Sequence, residues 1–172
     1  MKSDVILLFV IAVIHHVWVL QVIPERTNVL WTNEKYVSDV KFYVKRYARR
    51  GLYYINLEGT TKHVWANNIS AHLVFYEYLH NEYKRSFVEM HFKFCDLLRK
   101  DPYIGKALLA TGITCPLPAG EHKLNNITVP TDHFPNVVPF EKFKVDINIT
   151  LLPAEELIAN IEIYANFKQK LG

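Results

Sequence analysis

Phe143-Lys144-Val145-Asp146-Ile147-Asn148-Ile149-Thr150-Leu151 alternates apolar and polar side chains without a break. Successive side chains of a strand point to opposite faces, so this run predicts a strand whose apolar face is Phe143, Val145, Ile147, Ile149 and Leu151. Pro153-Ala154-Glu155-Glu156 interrupts it. Ile161, Ile163, Ala165 and Phe167 then alternate with Glu162, Tyr164, Asn166 and Lys168. Two alternating runs joined by a short polar break predict an antiparallel hairpin.

The same grammar occurs upstream. Ile69, Ala71, Leu73 and Phe75 oppose Ser70, His72, Val74 and Tyr76. A polar turn follows near His80-Asn81-Glu82. Val88, Met90, Phe92 and Phe94 then oppose Glu89, His91 and Lys93. Residues 24–60 are mixed. Val37, Val40, Val44 and Tyr47 suit a helix, whereas Val40, Phe42 and Val44 against Lys41, Tyr43 and Lys45 suit a strand. Tyr53 through Leu57 reads as a strand ended by Glu58-Gly59, and two strands are the favoured reading here. A shorter strand is expected from Leu124 to Val129. The fold class is therefore mainly all-β, a two-sheet antiparallel sandwich.

One segment departs from the pattern. In Cys95–Gly120, Asp101 is placed to cap a helix, with Pro102 at its first position. Tyr103, Lys106, Ala107, Leu109 and Ala110 continue at helical spacing, and Gly112 is placed to stop it. Asp96 to Arg99 reads as a preceding turn. One short helix after Cys95 is the expectation.

Of the 172 residues, 50% are hydrophobic and 13% aromatic, enough for one domain with a sizeable core. After a short polar start, Val5 to Ile23 is nearly all apolar, broken by His15, His16 and Gln21. Residues 1–23 read as a secretory signal peptide, with an uncleaved anchor as the alternative, and residues 24–172 as the domain. Removing 1–23 takes away Lys2 and Asp4 and leaves the net charge at +3. That excess is too small and scattered to indicate nucleic acid. In a secreted, extracellular chain the two cysteines, Cys95 and Cys115, pair by default. The bridge would close a loop of about 20 residues, worth on the order of 3 kcal/mol. Three glycosylation sequons begin at Asn68, Asn126 and Asn148, each followed by isoleucine. In a strand this aims the asparagine outward and the isoleucine inward.

Chemical motifs are scarce. Downstream of residue 23 the histidines are His63, His72, His80, His91, His122 and His133, with no His-x-His or His-Glu-x-x-His spacing. His72 and His91 fall on the outward face of their strands and read as solvated surface, so no metal site is expected. No nucleophile elbow and no phosphate-binding glycine-rich loop occurs. The reading is a protein without catalysis or cofactor. Lys41, Lys45, Arg46, Arg49 and Arg50 form the densest basic cluster, read as a charged strand edge in preference to a rim for anionic headgroups. The large inward residues Phe75, Met90, Phe92, Phe94, Val145, Ile147, Ile149, Ile163 and Phe167 fit two arrangements: a closed core, or sheets splayed around an apolar ligand.

Cys95-Asp96-Leu97-Leu98, then Cys115-Pro116-Leu117-Pro118-Ala119-Gly120, then Asn126-Ile127-Thr128, with Pro135 and Pro139 before the final hairpin, resembles the ML lipid-recognition superfamily. Within it the chain is similar to insect-type secreted members of the chemosensory-B-like and ganglioside-activator-like kind. The resemblance spans roughly residues 25–170. It implies an immunoglobulin-like β-sandwich cup that holds a lipid or other hydrophobic small molecule between its sheets, without catalysis. Better-known members carry additional disulfides, whereas this chain has one pair. The bridge is then expected at the cup's edge, tying the helix across the connection between two strands. Membrane contact would be transient at most. The alternative is a filled sandwich that docks an extracellular receptor or other partner through Tyr76, Tyr78 and Tyr83.

Overall fold

The computed structural model describes residues 18–131 and 141–171. Most of the expected leader (1–17), together with His133, Pro135 and Pro139, lies outside the described residues.

Among the described residues, eight strands and two helices are arranged as an all-β sandwich: β1 (Trp18–Thr32), β2 (Val37–Arg46), β3 (Tyr53–Thr61), β4 (Ile69–Leu79), β5 (Glu82–Lys93), α1 (Phe94–Lys100), α2 (Ile104–Leu109), β6 (Gly120–Ile127), β7 (Lys142–Leu151) and β8 (Glu156–Leu171). The larger sheet has the order β1-β8-β7-β4-β5 and the smaller β2-β3-β6. All pairings within them are antiparallel.

Both predicted hairpins are present. His80 and Asn81 make the β4–β5 turn with left-handed backbone at φ 52° and 66°, a geometry that a two-residue hairpin loop requires. β7 and β8 pair from Lys142↔Asn166 to Leu151↔Glu156. The two strands favoured within residues 24–60 are β2 and β3.

β1 was not foreseen as a strand. Trp18 to Ile23, assigned by the sequence reading to the leader, form its first part and pair with Leu171 to Asn166 of β8. Leu20 is buried in the core.

The single expected helix is two. Phe94, Cys95, Leu97 and Leu98 put one buried face on α1. Its first amides are capped from outside the helix, because Asn67 Oδ1 accepts hydrogen bonds from the backbone N–H of Cys95 (3.0 Å) and Asp96 (3.3 Å). Asp101 caps the next helix through its side chain, but that helix starts at Ile104 behind Tyr103, so Pro102 is not its first residue as expected. Asp101 Oδ1 accepts from the N–H groups of Tyr103 (3.1 Å), Ile104 (2.5 Å) and Gly105 (3.0 Å) at the start of α2. Gly112, at φ 86°, ends the segment as expected.

The helices lie in the chain between β5 and β6, an edge strand of each sheet. At the opposite edges β1 runs into β2, and Thr27 Oγ1 donates to the Phe42 carbonyl (2.8 Å). One end of the sandwich is closed by a packed cluster of Tyr36, Val37, Ile69, Phe94, Leu98, Ile113, Leu117 and Ile158. The Cys95–Cys115 disulfide, with Cα atoms 5.5 Å apart, lies in that cluster. The bridge therefore braces the closed end.

The basic cluster fits its edge reading. Lys41, Lys45 and Arg46 are exposed on β2, an edge of the smaller sheet, and Arg49 and Arg50 are exposed in the turn after it. Lys45 and Arg46 lie over the rings of Tyr47 and Tyr53.

Candidate functional site

The inward faces do not merge into one core. Away from the closed end, the larger sheet carries Leu73, Phe143, Val145 and Ala165 as one buried cluster. Ile55, Ala107 and Ile127 form a second cluster against the smaller sheet. Helix α2 touches both, with Ile104 on the first and Ala107 in the second. Around these small clusters stand large apolar side chains that are only half-buried: Val22, Phe75, Phe92, Ile147 and Phe167 on one wall, Phe42 and Leu124 on the other. Phe143 stacks with Phe75 at 6.2 Å and with Phe167 at 4.6 Å between ring centroids. This aromatic row lies at the Phe143↔Glu77 end of the larger sheet, away from the Leu151↔Ile69 end that the disulfide braces.

The nine expected lining residues separate into groups. Phe75, Phe92, Val145, Ile147 and Phe167 come together on the larger sheet. Ile163, from the same sheet, packs against the cluster of the opposite wall. Ile149 belongs with the closed end. Phe94 corrects the sequence reading: it does not continue the strand but starts α1, and its ring meets Trp65 edge-on at 5.8 Å in the closed-end core. Met90 is on the inward side opposite Leu73, but β5 is an edge strand and Met90 is 36% exposed. Of the facing wall only Ile127, after the Asn126 sequon, was read as inward; Phe42, Ile55 and Leu124, and Ile104 from the helix, were not among the expected lining residues. The Phe42/Val44 alternation was the available signal for part of it.

A separate cleft of about 360 Å³ opens at the closed end, lined by Lys35, Tyr36, His63, Trp65, Ile69 and Ile158 among others. None of the nine expected residues lines it. Its polar side is already engaged, since Tyr36 Oη donates to Glu156 and Lys35 Nζ lies 3.4 Å from the same carboxylate. The Tyr36 hydrogen bond and the Lys35 ammonium hold the Glu156 carboxyl below the usual range. The inter-sheet walls are the better candidate.

The sequons sit as the alternation predicts. Ile69 and Ile127 are buried while Asn68 and Asn126 are exposed. Asn68 Oδ1 accepts from the Ala66 N–H (2.8 Å), and Asn126, at φ 61°, accepts from Tyr47 Oη (2.9 Å). Asn148 is half-buried in the outer face of the larger sheet, where its Oδ1 accepts from Asn160 Nδ2 (2.6 Å).

That outer face is charged and ordered. Glu162 is 7% exposed and accepts from Lys144 Nζ (2.9 Å), Asn28 Nδ2 (3.2 Å) and Tyr164 Oη (2.9 Å). The three tyrosines proposed as partner anchors are drawn into the protein's own contacts. Tyr76 lies under Lys144 Nζ (4.2 Å), Tyr78 packs on Tyr83 (4.9 Å), and Tyr83 meets Tyr164 edge-on (5.2 Å).

No helix among the described residues is long and apolar enough to cross a membrane. No family model and no curated protein matches this chain.

The place of the disulfide sets an expectation. Replacing Cys95 and Cys115 together with serine should lower stability by on the order of 3 kcal/mol in urea unfolding. Uptake of an apolar probe at a temperature where the variant is folded should change little. Probe affinity falling in step with stability would place the bridge at the binding region instead.

Proposed function

We propose that the protein is a secreted, non-catalytic carrier that holds a lipid chain or other hydrophobic small molecule between its two sheets, in the manner of the ML lipid-recognition proteins it resembles. The supporting observation is the divided core. Two apolar walls face each other with Phe75, Phe92, Ile147, Phe167 and Phe42 half-buried where a filled sandwich would bury them. A ligand that covers these side chains gains about 25 cal/mol per Å² before the costs of association. A long acyl chain needs no polar anchor to bind on those terms.

The test is displacement of a fluorescent fatty-acid probe by the purified protein. Binding with a Kd on the order of micromolar or tighter is expected. Phe92→Asp and Ile147→Asp, which place a carboxylate on the apolar wall, should abolish it, while Met90→Asp at the exposed edge should have a smaller effect. A folded protein that takes up no probe refutes the reading. So does uptake that both aspartate variants leave intact.

A further inference from the structure

We propose that His72, Glu89 and His91, on the outer face of the larger sheet, form a binding site for a divalent transition-metal ion such as Zn²⁺. The site is independent of the apolar interior, which lies behind the same strands.

The strand register builds it. His72 in β4 is the direct cross-strand partner of His91 in β5. Glu89 precedes His91 by two residues and shares its face. The imidazole rings lie 3.9 Å apart at 14° to one another. His72 Nε2 is 3.2 Å from Glu89 Oε2. One ligating atom from each residue can be chosen so that all three lie within 4.8 Å of one another. Zn²⁺ takes imidazole nitrogen and carboxylate oxygen at about 2.0–2.2 Å, which puts tetrahedral donors roughly 3.4 Å apart. The group has only to contract and the rings to turn out of their stack. His72 and Glu89 side chains are 30% and 33% exposed, so the group can be reached by an ion from solvent. Two histidines and one carboxylate leave a coordination position for water.

The surroundings set the affinity. Arg85 Nη2 bonds Glu89 Oε1, which leaves Oε2 turned toward His72. Its guanidinium both orients the carboxylate and repels a cation. Asn148, the partner of His72 on β7, has its oxygen taken by Asn160. Among the described residues no second carboxylate completes the group.

Titration of the full chain, free of any polyhistidine tag, with ZnCl₂ in a calorimeter should give one site per chain. His72→Ala and His91→Ala should each eliminate it, and Glu89→Gln should weaken it. Arg85→Gln should tighten it by removing the competing cation, and His80→Ala should leave it unchanged. Circular dichroism checks that each variant is folded. In the unaltered protein, Co²⁺ should produce the visible absorption of a low-coordinate nitrogen/oxygen site and be displaced by Zn²⁺. Failure to bind either ion overturns the proposal. Stoichiometric binding that survives both histidine substitutions also overturns it, because the ion would then sit elsewhere.

Discussion

Gly105→Ala should destabilise the protein by on the order of 4 kcal/mol or more, at the extreme of what single substitutions do. Gly105 is buried in α2, and a Cβ at this position would fall 2.0 Å from the Leu97 carbonyl oxygen and 3.0 Å from its carbon. No rotamer relieves this, because both partners are backbone. The Leu97 carbonyl is itself held by the N–H of Asp101 at 3.1 Å, and Asp101 in turn caps α2. The helices would have to separate, and α2 carries Ile104 to one apolar wall and Ala107 to the other. Urea unfolding should show a large fall in midpoint. Gly112→Ala is the comparison, since nothing lies within 4 Å of its added Cβ and only the left-handed φ of 86° opposes it, at about 1 kcal/mol. If the Gly105 variant loses no more than the Gly112 variant, the close contact between the helices is not what holds α2 between the sheets.

The same helices show where the sequence is legible. Asp101 and Gly112 could be read as cap and stop because each acts through its own local chemistry. Gly105 could be read only as a weak helix former, because its partner, the Leu97 carbonyl, belongs to the preceding helix. α1 looked like a turn because the group that caps it, Asn67, is remote in sequence. The β7–β8 and β4–β5 hairpins were legible because one face of each strand is apolar and the other wet, and period two survives along them. β1 was not, for two reasons. Its first residues are apolar except for Gln21 and match a leader. Register shifts between Pro24 and Arg26 and between Val29 and Trp31 then change which parity faces inward, so no alternation persists. The candidate interior was half legible: periodicity named Phe75, Phe92, Ile147 and Phe167, but not the facing wall, which depends on how the sheets are stacked. The His72–Glu89–His91 group has no spacing motif because register joins β4 to β5 there.

Lys144→Met should cost about 3–5 kcal/mol at neutral pH, the range for removing one partner from a buried ion pair. Lys144 Nζ lies 2.9 Å from Glu162 Oε1 and 3.0 Å from Asp146 Oδ1, with the lysine and Glu162 side chains only 14% and 9% exposed. Methionine keeps the apolar stem over Tyr76 and deletes only the charge, which leaves two carboxylates facing each other. The acid response gives a second, independent reading. Burial alone would raise the Glu162 pKa, but the hydrogen bonds from Lys144, Asn28 and Tyr164 outweigh it and bring it from 4.5 down to about 2. A carboxylate depressed in the folded state stabilises the fold above its unfolded pKa, and that contribution disappears as pH falls from about 4.5 toward 2. Without Lys144 burial is opposed by fewer hydrogen bonds, so Glu162 takes up a proton at a higher pH than in the parent. The penalty of Lys144→Met should therefore shrink between pH 7 and pH 3, as the parent loses stability and protonation of Glu162 relieves the variant. Unfolding midpoints measured for both proteins across that range decide the matter: a penalty that stays constant would mean that Lys144 stabilises the sheet through its alkyl stem and not through its charge.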